Sequence, residues 1–159
     1  MPNIRVETRR PIPYDNDAVY RCLADFERGQ PRLLPDAVRE YQVRAGGVGE
    51  GTIVSCAMTI HGRERLFLFR IAEPIWTRTI TAYDHDSHLT LTWFLRAEGP
   101  TTEVEIEAFW MEPDSTLGFL KGWWATVVVR KLLNAMLDRI PDVIAELGYD
   151  QPANAEAPG

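Results

Sequence analysis

Residues 115–147 read STLGFLKGWWATVVVRKLLNAMLDRIPDVIAEL, and this stretch decides how the rest of the chain must fold. Its length suits one helix of about nine turns. Pro113-Asp114-Ser115-Thr116 supplies the start, since Asp114 or Ser115 can accept hydrogen bonds from the first free amides. Gly148 follows the last apolar residue, where a helix C-terminus favours glycine. Val129, Leu132, Met136, Ile140, Val143 and Leu147 recur at spacings of three and four and share one face. Toward the start the same face carries Ala125, Gly122 and Gly118, so half of the stripe is bulky and half nearly bare. Two features disturb it. Thr126-Val127-Val128-Val129 is a β-branched run of poor helix propensity. Pro141 removes the hydrogen bond to the Leu137 carbonyl and predicts a kink or two abutting helices.

Upstream, Ile4 to Arg9 alternates apolar and charged residues like a half-buried strand, and Pro11 and Pro13 end it. Asp15-Asn16-Asp17 opens a short helix with Val19, Leu23 and Phe26 inward, and Gly29 breaks it. Pro31 then starts a second short helix. From Val38 the period changes to two, which predicts strands at 38–45, 51–60, 63–72, 76–83, 89–97 and 102–111. The gaps carry turn residues: Gly46-Gly47, His61-Gly62, Glu73-Pro74, His85-Asp86 and Gly99-Pro100.

The chain has 159 residues, 45% hydrophobic and 25% charged, which suits a single domain with a real core. The domain is predicted over 1–148, followed by a disordered Pro- and Ala-rich tail over 149–159. A net charge of −6 disfavours nucleic acid and anionic membranes as partners. No apolar run reaches the ~20 residues of a transmembrane segment. The N-terminus does not read as a secretory signal, and Cys22 and Cys56 read as reduced thiols of a cytoplasmic protein.

Strand, two short helices, six strands and a long helix resemble the helix-grip fold of the START/Bet v1-like (SRPBCC) superfamily. The resemblance is narrower to its polyketide cyclase/dehydrase and lipid-transport group. It rests on residues 12–20 (IPYDNDAVY), Leu23-Ala24-Asp25, Leu34-Pro35, Gly49-Glu50-Gly51-Thr52 and the closing helix. It implies an α+β architecture: a curved seven-stranded antiparallel sheet wrapped around the C-terminal helix, with a cavity between them. It carries over no universal catalytic residue and no cofactor.

Hairpin parity locates that cavity. Even loops place Val54, Phe69, Arg78, Trp93 and Ile106 in one row and Cys56, Phe67, Ile80, Leu91 and Ala108 in the next. A third row holds Met58, Arg65, Ala82, Leu89 and Trp110. Glu103, Glu105 and Glu107 fall on the opposite face, where the fold pairs them with Arg5 and Arg9. The predicted ligand set is therefore Cys56, Met58, Phe67, Phe69, Arg78, Trp93, Ala108 and Trp110 from the sheet, with Gly118, Gly122 and Ala125 from the helix. Arg78 has two readings: an anchor for a polar ligand group between two rings, or a side chain snorkelling to solvent from the sheet's end. Asp84, His85, Asp86 and His88 could hold a metal but read as turn chemistry, so no metal site is assigned.

Leu120, Trp123, Trp124 and Val127 point away from the bare stripe. They are either covered by the two short helices or a loop, or form a homodimer or membrane contact. Three functions follow. The first is binding or carriage of a small hydrophobic molecule: a polyketide, lipid, quinone or aromatic. The second is an enzyme of the cyclase, aromatase or dehydratase kind. The third is an interaction protein with a filled core.

Overall fold

A computed structural model describes residues 3–60, 62–111 and 118–152, with the side chains of 60 and 118–124 left out of the description. The elements are β1 (Asn3–Ile12), α1 (Asn16–Ala24), α2 (Gln30–Leu33), β2 (Val38–Ala45), β3 (Ile53–Ile60), β4 (Arg63–Ile75), β5 (Thr79–Asp84), β6 (Thr90–Glu98), β7 (Thr101–Met111) and α3 (Gly118–Leu147). The strands form one curved antiparallel sheet in the order β1-β7-β6-β5-β4-β3-β2. This is the helix-grip arrangement that the order of predicted elements implies.

Local chemistry sets most boundaries. Asp15 caps α1 by accepting from the Ala18 amide at 2.9 Å. Pro31 sits in the first turn of α2. β1 continues through Pro11, which the sequence reading took as its end. β1 is an edge strand, and an edge tolerates a residue without an N–H. At the other end of the chain Gly148 takes φ 76°, and its amide donates to the Ile144 carbonyl at 3.0 Å.

α3 is a single helix through Pro141, so the two-helix reading is replaced. Its predicted start, Pro113 to Thr116, lies outside the described residues. The buried stripe is Leu133, Met136, Leu137, Ile140, Val143 and Ile144, while Val129 and Leu147 are only partly buried. The predicted seam therefore turns slightly toward Leu133, Leu137 and Ile144. α3 is seated on β1 by polar pairs as well: Thr8 Oγ1 donates to Asn134 Oδ1 at 2.5 Å, and Arg10 pairs with Asp138.

The tail prediction needs correction at its first residue. Tyr149 is buried at 6% exposure, and its hydroxyl donates to Asp25 Oδ2 at 2.5 Å. Arg21 donates to the carbonyls of Tyr149 at 3.0 Å and Gln151 at 2.8 Å. The end of α3 is thus tied to α1 beyond Gly148.

Candidate ligand site

Strand pairing decides which side chains meet α3. The β3–β4 ladder pairs Val54 with Phe69, Cys56 with Phe67 and Met58 with Arg65, as parity predicts. The β6–β7 ladder pairs Leu91 with Ala108 and Trp93 with Ile106, also as predicted. On the outer face Arg5 lies 3.7 Å from Glu107 and Arg9 lies 3.7 Å from Glu103, so the expected charge pairing of β1 and β7 is present.

β5 is where the predicted register fails. Phe69 pairs with Asp84 instead of Arg78, and Ile80 pairs with Trp93 instead of Leu91. Glu73-Pro74 is not the turn. β4 runs through it to Ile75, with a register break between Ala72 and Ile75, and the turn falls at Trp76-Thr77-Arg78. A proline that cannot donate to the ladder is accommodated at such a break. Both register errors are even, so Ile80 and Ala82 still face inward. Arg78 does not: it is exposed in the turn and pairs with neither Phe69 nor Trp93. Its role as an anchor between two rings is withdrawn.

The remaining sheet members of the predicted set do share the inner face. Cys56, Phe67, Phe69, Trp93 and Ala108 are buried in the core, with Met58 and Trp110 packed against it and partly exposed. The rings of Phe67 and Phe69 stack with centroids 5.6 Å apart. On the helix Ala125 is half-buried, and the side-chain positions of Gly118 and Gly122 lie outside the described set. So do Leu120, Trp123 and Trp124 of the predicted interface, whereas Val127 and Val128 are 44% and 41% exposed.

Burial along the inner face is graded. At the end under α1, Ile12, Ile80, Val104 and Ile106 are fully buried, and Leu95 nearly so. Toward the opposite end, Ile4, Val38, Met58, Leu91, Trp110 and Val129 are only partly buried. Among the described residues, the apolar face is thus fully buried at one end and partly exposed at the other.

Asp84 enters this face unpredicted, at 3% exposure. Its Oδ1 accepts from the Leu68 amide at 2.9 Å, and its Oδ2 accepts from the Ser87 amide at 2.8 Å and the Ser87 hydroxyl at 2.6 Å. Burial pushes this carboxyl up, but those hydrogen bonds outweigh it and hold the group below the usual carboxylate range. The Asp84–His88 segment is therefore a turn organised by its own side chains, with the Tyr83 hydroxyl 3.0 Å from His88 Nδ1. Burial also raises the two thiols, Cys22 to about 12 and Cys56 to about 11, with Asp25 and Asp84 adding to each in turn.

The outer face carries a separate shallow groove of about 280 Å³ lined by Arg9, Phe94, Arg96, Glu103, Glu105 and Glu107. Glu7, Glu105 and Glu107 converge there, with carboxylate oxygens within 4.8 Å of one another. Burial, then Glu7, raises the Glu105 carboxyl. Arginines of β1 and β6 border this cluster, which reads as a surface charge lattice.

No family model matches the sequence, and no curated protein matches it. Solved structures do. The KanY protein is 20% identical with a TM-score of 0.79, covering 91% of this chain and 99% of its own. A START superfamily protein from Mycobacterium smegmatis is 12% identical with a TM-score of 0.69, covering 90% and 98%. The Zhui aromatase/cyclase from Streptomyces is 16% identical with a TM-score of 0.60, covering 98% and 100%. The chain therefore has the helix-grip fold of START-like and aromatase/cyclase structures, and likeness at this level of identity establishes the fold alone.

Proposed function

We propose that this protein binds a small hydrophobic or aromatic molecule (polyketide, lipid, quinone or related aromatic) on the inner face of the sheet, beneath the N-terminal half of α3. The graded burial carries this reading. A core that only stabilised the fold would close at both ends, yet Met58, Leu91, Trp110 and Val129 leave apolar surface partly open. Burying that surface under a ligand yields roughly 25 cal/mol per Å². The partly exposed Trp110 suits a flat ring system.

Binding or carriage is favoured over cyclase-type catalysis by the chemistry of the inner face. Asp84 is saturated by three donors and Cys56 is held protonated, so neither is poised as base or nucleophile. Unpaired, buried Cys22 and Cys56 suit the reducing cytoplasm, where we place the carrier. Exposed Val127 and Val128 support a contact between two copies through α3.

Native mass spectrometry of freshly purified protein tests both readings together. We expect a small hydrophobic molecule that is released on denaturation. Protein that carries nothing, and that binds no neutral aromatic probe when offered one, would sink the binding proposal. A mass that stays monomeric at every concentration would remove the homodimer.

A further inference from the structure

The turn between β5 and β6 carries both histidines of the described residues, His85 and His88, with ring centroids 6.1 Å apart and the planes at 61°. In the sequence Asp84, His85, Asp86 and His88 read together as turn chemistry. The structure divides them. Asp84 is buried and saturated by Leu68 and Ser87, and its amide donates to the Leu89 carbonyl at 3.0 Å, which closes the turn. His85, Asp86 and His88 stand exposed on the turn so formed. His88 takes φ 60°, a left-handed conformation that is costly for a residue with a Cβ.

Spacing, orientation and charge fit the pair to a metal ion. An imidazole nitrogen binds Zn²⁺ at about 2.1 Å, which puts the ring centre about 3.2 Å from the ion, so two rings on one ion have centres roughly 5–6.4 Å apart. The 6.1 Å between His85 and His88 falls inside that span. Tyr83 orients one of them, with its hydroxyl oxygen 3.0 Å from His88 Nδ1. A hydroxyl accepts as well as donates, so an ion on Nε2 leaves Nδ1–H donating to Tyr83, the kind of outer partner that metal-bound histidines have. The Tyr83 ring also meets His85 edge-on, with centroids 6.4 Å apart. Asp84 and Asp86 give the turn a negative charge that favours a cation. Imidazole donors select late transition ions, whereas the Glu7, Glu105 and Glu107 cluster of the outer face offers oxygen alone.

We propose that the β5–β6 turn binds one late first-row divalent ion, Zn²⁺ or Cu²⁺, through His85 and His88. Tyr83 is a positioning residue for the His88 ring, and water completes the coordination. The site stands independently of a ligand on the inner face.

Calorimetric titration of the full chain with Zn²⁺ and, separately, Cu²⁺ tests the site, after treatment with a chelator. We expect one ion per chain, bound at micromolar concentration. His85→Gln and His88→Gln should each weaken binding at least about tenfold, and Tyr83→Phe about tenfold through loss of the outer partner. His61→Gln, which removes the third histidine of the chain, and Glu105→Gln, in the acidic cluster, should leave binding unchanged. Electron paramagnetic resonance of the Cu²⁺ form needs no variant: the wild type should show nitrogen splitting from two imidazoles. Oxygen-only coordination, or binding at millimolar ion alone, would overturn the site. A loss in His61→Gln or Glu105→Gln as large as in the turn variants would overturn it equally. Unchanged urea midpoints for the variants exclude unfolding as the cause.

Discussion

Asp84 keeps its charge at a position only 3% exposed because three donors converge on it. Its folded-state pKa is depressed, so the stability it contributes is present above the ordinary carboxylate range and lost as pH falls through the folded value. Asp84→Asn, which retains one acceptor oxygen, should cost roughly 1–3 kcal/mol at neutral pH. In urea titrations the gap between wild type and variant should shrink below about pH 4. A gap independent of pH would show that shape, not charge, matters there. The cysteines make the opposite case. Burial, aided by Asp25 and Asp84, raises Cys22 to about 12 and Cys56 to about 11, leaving little thiolate near neutrality. Ellman's reagent at pH 8 should modify the native protein at less than about one-tenth the rate of the urea-unfolded chain. Rapid labelling of two thiols in the folded protein would contradict their burial.

The C-terminal end of α3 is held to α1 by a short polar network. Tyr149 donates to Asp25, Arg21 grips the carbonyls of Tyr149 and Gln151, and Asp25 Oδ1 accepts from the amides of Glu27 and Arg28. Gly29 lies beneath, where a Cβ would fall 2.2 Å from the Cys22 carbonyl oxygen. Tyr149→Phe should cost about 1–2 kcal/mol in urea denaturation through loss of the hydroxyl bond. Truncation after Gly148 should cost more, because a buried ring leaves with the hydroxyl. Equal stability of the truncated and full chains would mean that α3 ends independently of α1. Along the same helix the apolar stripe was legible from its spacing, but its exact facing was not. Leu133 and Ile144 are buried while Leu147 is only partly so, because β1 and α2 approach one side of α3. Arg139 shows that approach directly, donating to the Leu34 carbonyl at 2.5 Å.

Across the whole molecule, the closed and open ends of the inner face should respond differently to mutation. Ile80→Ala, in the closed end, should cost about 2–5 kcal/mol by leaving a cavity. Leu91→Glu, in the half-open end, should disturb stability less and abolish binding of N-phenyl-1-naphthylamine, because a charge entering a desolvated site is costly. Equal stability losses at the two ends, with probe binding retained in Leu91→Glu, would contradict the graded face. The two ends were not distinguishable in the sequence, where Ile80 and Leu91 look alike. The order of elements, the period-two strands and the inner-face parity followed from the sequence by itself, since alternation and helical spacing are local and survive even-numbered errors of register. Where β4 turns into β5 was decided only in the tertiary structure. Tyr20 of α1 donates to Glu73 at 2.6 Å, and Glu50 accepts from the Glu73 amide at 3.2 Å, so distant contacts hold Glu73-Pro74 inside the strand. The turn is thereby displaced to Trp76-Thr77-Arg78, and Asp84 takes the place beside Phe69 that parity had offered to Arg78.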